Sequence, residues 1–159
     1  MTEKCNIYRT FNISYGKLLK NLLETPKHFQ HLHKITHITY PLLDFNNLPE
    51  ESLKKERDII FQYPIPTFLN MIVGDNFQIK VNEISYINKN NCKIKAIIKI
   101  NTLIGLITLT ESSIYINNEQ SVDSKIFLQC DSKIPNIILE QVIKNWEKDK
   151  NKYLDRVSQ

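Results

Sequence analysis

The feature that most constrains this chain is a single change of period near its C-terminal end. Four successive runs, residues 77–87, 91–101, 106–116 and 120–131, alternate apolar and polar side chains, and after Pro135 the pattern gives way to one long helical stripe. Alternation with period two turns one side of each strand toward apolar surroundings and the other toward water. The turns between the runs, Asn88-Lys-Asn-Asn91 and Asn117-Asn-Glu119, are short and polar, which predicts an antiparallel meander. In the last segment Ile138, Leu139, Val142, Ile143, Trp146, Tyr153, Leu154 and Val157 lie on or beside one stripe, with Lys144, Glu147, Lys148, Lys150 and Lys152 mostly off it. A curved antiparallel sheet buries its apolar face only against an element long enough to cross it, and this helix is the one candidate.

The first half fits the same plan. Residues 4–13 place Cys5, Ile7, Phe11 and Ile13 on one strand phase, with Arg9 as the polar exception. Ser14 is a natural N-cap for a helix over 15–24, striped by Leu18, Leu19, Leu22 and Leu23, and Thr25-Pro26 reads as the start of a second short helix ending near His33. Strand patterns return over 35–40 and 55–63, the second with Arg57 in phase with Ile59, Phe61 and Tyr63, and the polar stretch 44–52 links them. Residues 67–73 are largely apolar and bracketed by Pro64-Ile65-Pro66 and Gly74-Asp75-Asn76, so they form either a helix of one or two turns or an apolar flap. The expected fold class is α+β: six or seven antiparallel strands gripping a long C-terminal helix, with two short helices after the first strand. No linker or repeat divides residues 1–159, which are read as one domain.

Composition removes several function classes. Gly16, Gly74 and Gly105 are the only glycines, too few and too scattered for a glycine-rich phosphate loop. The net charge of +4 rests on 18 Lys against 3 Arg, beside 24 Ile and 17 Asn, a bias typical of A+T-rich coding. Lysine lacks the planar fork that reads bases and phosphates, and these lysines are spread along the chain, so nucleic acid is not expected as a partner. Cys5, Cys92 and Cys130 form an odd set without CxxC spacing and read as free buried thiols. The start, Met1-Thr-Glu-Lys-Cys-Asn, lacks a basic region followed by an apolar stretch, and no apolar run approaches the ~18 residues of a spanning helix, which predicts a cytoplasmic protein.

His28, His31, His33 and His37 fall within ten residues, but their spacing completes no tetrahedral set and no metal is expected. Arg9 and Arg57 stand in apolar strand phases, where a guanidinium needs a carboxylate, with Glu83 and Glu111 as candidates, or an anionic ligand. No nucleophile motif is present, and His37, Glu83, Glu111, Tyr86 and Tyr115 are nominated for acid or base work only by a cavity-facing phase. A non-catalytic binding module is therefore the leading reading. An enzyme acting on a hydrophobic substrate and a ligand-free interaction scaffold are the alternatives.

The order of elements resembles the START-like, or helix-grip (SRPBCC), superfamily over nearly the whole chain. Ile65-Pro66-Thr-Phe68-Leu69, then Val73-Gly74, then Glu83 and Glu111, is similar to a segment of PRELI-type and some uncharacterised START-like domains, as is Ser132-Lys-Ile134-Pro135 before the last helix. The Lys-Tyr-Pro-Asn-Pro run of PRELI-type domains has no counterpart between Glu24 and Lys34. The resemblance implies a cavity between sheet and helix for a lipid, sterol or other apolar molecule, without a cofactor, and transient contact with a membrane surface during transfer. It implies Leu139, Val142, Ile143 and Trp146 as cavity wall and Phe68, Leu69, Met71, Ile72 and Val73 as a gate; Arg9 and Arg57, nominated by strand phase, would be the polar contacts to such a ligand if no carboxylate of the chain pairs them.

Overall fold

The computed structural model describes residues 2–24, 33–39, 43–61, 79–102 and 105–159. Seven strands, β1 (Thr2–Phe11), β2 (His33–Thr39), β3 (Leu53–Phe61), β4 (Ile79–Ile87), β5 (Asn91–Thr102), β6 (Gly105–Asn117) and β7 (Val122–Asp131), form one sheet. Its order is β1-β7-β6-β5-β4-β3-β2, and every neighbour pair is antiparallel. Two helices complete the described architecture, α1 (Tyr15–Leu23) and α2 (Asn136–Val157). The expected α+β plan of a sheet gripping a C-terminal helix is the observed one. The expected second short helix and the 67–73 stretch lie outside the described residues, and His33 belongs to β2 instead of ending a helix.

The sheet follows from alternation. Along β7 every second residue from Val122 to Cys130 is buried, and β6 repeats the pattern at Ile107, Leu109, Glu111, Ser113 and Tyr115. Asn88 shapes the β4–β5 turn, its side-chain oxygen accepting from the backbone N–H groups of Asn90 and Asn91 at 2.8 and 2.9 Å. The β6–β7 turn places Glu119 at φ 67°, and the Asn117 side chain accepts its backbone N–H at 2.9 Å.

Both helices pack on the inner face of the sheet. Ser14 caps α1 by accepting the Lys17 N–H at 3.4 Å, and Leu18, Leu19, Leu22 and Leu23 turn inward against Ile87, Cys92 and Tyr115. The C-terminal half of α2 joins this cluster through Leu154 and Val157, and Asn21 donates to the Val157 carbonyl at 2.8 Å. The N-terminal half of α2 seats Leu139, Val142 and Ile143 against Ile107, Leu109, Leu128 and Cys130, with Trp146 packed against both clusters. Trp146 therefore lies on the sheet-facing side, as its place in the stripe predicts.

Gly16 holds α1 against the loop before β3. A Cβ built there would sit 2.6 Å from the backbone oxygen of Phe45, closer than side-chain carbons approach backbone. In an unconstrained helix Gly→Ala stabilises by about 1 kcal/mol. Here Gly16→Ala is expected to destabilise by roughly 1–3 kcal/mol in chemical denaturation, because α1 or the loop must shift. A more stable Gly16→Ala variant would show that this contact is not formed.

Candidate functional site

Strand register aligns a row of polar groups across the middle of the inner face. Arg57 on β3 faces Glu83 on β4, Glu83 faces Ala96 on β5, and Ala96 faces Glu111 on β6. The small Ala96 thus separates two inward carboxylates by two strand spacings, roughly 10 Å. Each carboxylate is answered from a different side.

Arg57 meets Glu83 through two donors, Nε to Oε1 at 2.8 Å and Nη2 to Oε2 at 3.3 Å. The same guanidinium donates to the carbonyls of Leu22 and Leu23 at 2.9 Å each, and Lys55 Nζ donates to the Leu23 carbonyl at 2.9 Å. Leu22 and Leu23 form the last turn of α1, whose carbonyls have no intrahelical partner and carry the negative end of the helix dipole. Arg57 and Lys55, both buried, therefore cap that helix from the sheet. Burial, and next the neighbouring Arg57 charge, lower the Lys55 pKa to about 8 against the opposing pull of Glu83 and Glu24.

Glu111 is answered by α2. Lys150 Nζ donates to Oε1 at 2.5 Å and Trp146 Nε1 donates to Oε2 at 3.1 Å, so both carboxylate oxygens are satisfied. Trp146 and Lys150 are four residues apart and share one helix face. Burial acts to lower the Lys150 pKa, but the charge of Glu111 and the hydrogen bond to it hold Lys150 protonated well above the ordinary lysine range. Burial drives the Tyr115 hydroxyl up, and burial followed by Glu83 pushes the Cys92 thiol up to about 12, so neither supplies an anion near neutral pH.

Apolar side chains flank the row on both sides. Ile107, Leu109, Ile126 and Leu128 on β6 and β7 are buried. On β4 and β5 Val81, Ser85, Ile87, Cys92, Ala96 and Ile100 are buried too, whereas Ile79, Ile94 and Ile98 on the same face pack against the core yet remain partly exposed, as does Glu83.

The residues nominated from sequence divide accordingly. Leu139, Val142, Ile143 and Trp146 pack on the inner face of the sheet, and Arg57, Glu83 and Glu111 share one row of that face. Arg9 is engaged elsewhere: it donates to Asp155 Oδ1 at 2.6 Å and to the Asn151 carbonyl at 3.1 Å, tying β1 to α2, with its guanidinium 5.1 Å from the Phe11 ring centroid. Its carboxylate partner is thus neither Glu83 nor Glu111. Tyr86 is a correction. It is 45% exposed on the outer face, because three residues from Glu83 is an odd number of strand steps and reverses the side. Phe68, Leu69, Met71, Ile72 and Val73 lie outside the described residues, and His37 falls in β2, outside the described side chains. Sequence reasoning missed Lys55 and Lys150. Lys55 is two residues before Arg57 on the same strand phase and was legible, whereas Lys150 required the rotation of α2. No helix among the described residues is long and apolar enough to cross a membrane.

The Lys55 environment gives a pH signature. A lysine whose native pKa is depressed to about 8 from 10.5 weighs against folding while both states are charged, and ceases to do so as pH rises through that window. Relative to Lys55→Met, the unmodified chain is expected to gain on the order of 2 kcal/mol in urea denaturation between about pH 7.5 and about pH 10. A pH-independent difference would contradict a buried, destabilised ammonium.

No family model and no curated relative matches the chain. Three solved structures are similar along nearly its whole length. The Mll3558 protein from Rhizobium loti is 7% identical over 99% of this chain and 93% of that one, with TM-score 0.54. TTHA0849 from Thermus thermophilus is 7% identical over 98% and 94%, with TM-score 0.52. Ara h 8.0201 is 10% identical over 99% and 96%, with TM-score 0.53. At such identities the likeness concerns the fold alone, a curved antiparallel sheet gripping a long C-terminal helix.

Proposed function

We propose that this chain binds a lipid, a sterol or a similar apolar small molecule between the inner face of the sheet and α2, and carries it between membranes. The observation that supports this most is the uneven burial of one continuous face. Ile79, Ile94 and Ile98 are partly exposed, while Val81, Ala96 and Ile100 beside them and the inner residues of β6 and β7 are buried. A chain of this size buries apolar surface wherever it can, at about 25 cal/mol per Å², so apolar inner positions left accessible mark where a ligand replaces protein. Leu139, Val142, Ile143 and Trp146 form the facing wall in this reading, and Arg57 with Glu83 forms the polar end. Arg9 fastens the wall to β1. The Phe68 to Val73 stretch is proposed as the gate on its sequence alone, an apolar run between two turn signals.

Native mass spectrometry of protein purified without detergent tests the reading. The expected result is a bound mass of lipid or sterol size, lost in Ile98→Trp, which fills the space from a partly exposed position without uncovering a buried group. Restored binding of the extracted compound should raise the melting temperature of the unmodified chain and not that of the variant. Protein that stays bare after incubation with lipid extract, with an unchanged melt, would exclude a binding role for this face.

A further inference from the structure

We infer that the outer face of the sheet is a binding platform for single-stranded nucleic acid, a role separate from ligand binding on the inner face. The lysines that are scattered in sequence are gathered by strand register. Lys54 on β3 faces Tyr86 on β4, Tyr86 faces Lys93 on β5, Lys93 faces Ile114 on β6, Ile114 faces Lys125 on β7, and Lys125 faces Tyr8 on β1. The adjoining row adds Lys95, Ser112 and Phe127. Basic and ring-bearing or apolar side chains therefore alternate along a line perpendicular to the strands.

These groups are available. Tyr8 is 68% exposed and Tyr86 45%, and Lys54, Lys93, Lys95 and Lys125 are exposed. Among the described residues, no carboxylate lies within ion-pair distance of any of the four. The outward carboxylates Glu56 and Asp58 stand on β3, and Asp123 and Asp131 at the two ends of β7, so among the described residues the centre of the face carries only positive charge. Asp123, two residues from Lys125 on the same strand face, accepts from Thr10 and Asn118 at 2.7 Å each and also feels the Lys125 charge, without closing to an ion pair.

The surface is recessed as well as charged. A hollow of about 440 Å³ opens on this face, with Tyr8, Tyr86, Lys93, Lys95, Lys125 and Phe127 among its lining. Tyr8 and Tyr86 stand four strand spacings apart, roughly 19 Å, too far for one mononucleotide and suited to several linked ones. Exposed rings at intervals with ammonium groups between them match a strand of planar bases joined by phosphates. A duplex hides its base faces and would leave the tyrosines idle. Arg9 and Arg57 are committed to the inner side and Arg156 stands on α2, so the platform lacks a bidentate base reader and should be tolerant of sequence. An anionic membrane is the less suitable counterpart, since membrane docking uses projecting apolar side chains and this face presents a hollow.

Fluorescence anisotropy with labelled oligo(dT) and oligo(rU) of about 15 nucleotides tests the proposal on the full chain. Binding is expected, with a log–log salt slope near −2 for about three phosphates engaged. Tyr8→Ala and Tyr86→Ala, both at exposed positions, should each weaken binding about ten-fold. Lys93→Glu/Lys125→Glu should abolish it, and Lys144→Glu/Lys148→Glu, an equal charge change at exposed positions of α2, should leave it within about two-fold. Circular dichroism melts confirm that each variant is folded. The proposal is overturned by absence of binding, by equal or tighter binding to duplex, by insensitivity to both tyrosine changes, or by a preference for vesicles of phosphatidylserine and phosphatidylcholine over either oligonucleotide.

Discussion

Glu111 is where the sheet and α2 are locked in register. Its two oxygens take Lys150 and Trp146 from one helix face, so α2 can neither rotate nor slide without leaving a buried charge unpaired. Such pairs contribute little net stability over an apolar substitute, because desolvation offsets the attraction, but losing one partner costs about 3–5 kcal/mol. The consequence is positional. Apolar contacts at Leu139, Val142 and Ile143 would tolerate a shifted helix, whereas this hydrogen-bonded contact selects one seating. Arg57, itself held by Glu83, does the same for α1 by donating to the terminal carbonyls of that helix, as Lys55 also does.

How much of this was legible follows from what each signal can carry. Period-two alternation and Asn-rich turns locate β5, β6 and β7 to within about two residues, and Pro135 with the stripe locates α2, because these are local consequences of backbone geometry. Arg57 is legible as a buried charge, and Glu83 as one of two candidate partners. The partner of Arg9 is not, since Asp155 lies on a helix face whose rotation is set by packing. Lys150 reads as a residue off the stripe for the same reason. Tyr86 is misplaced by a phase applied loosely over residues 77–87. Counting from Glu83 puts it on the outside.

The lysines show the limit most clearly. Along the chain they form no run, and composition explains their number. Antiparallel pairing converts separation in sequence into adjacency in space, so Lys54, Lys93 and Lys125 share one row although more than thirty residues lie between neighbours in sequence. A sheet with one face given to apolar packing is free to use the other for charge. Alternation that builds the core therefore also builds a surface that linear patterning does not reveal.

The account depends on Glu111 and Lys150 acting as one unit, and a double-mutant cycle with Glu111→Gln and Lys150→Met measures that directly. The pair should couple by at least about 1.5 kcal/mol in urea denaturation, with Glu111→Gln more damaging alone than when Lys150→Met accompanies it, since the double variant leaves no unpaired buried charge. Additive losses, within about 0.5 kcal/mol, would mean that the two groups do not meet in the folded protein and that α2 is seated by apolar packing alone.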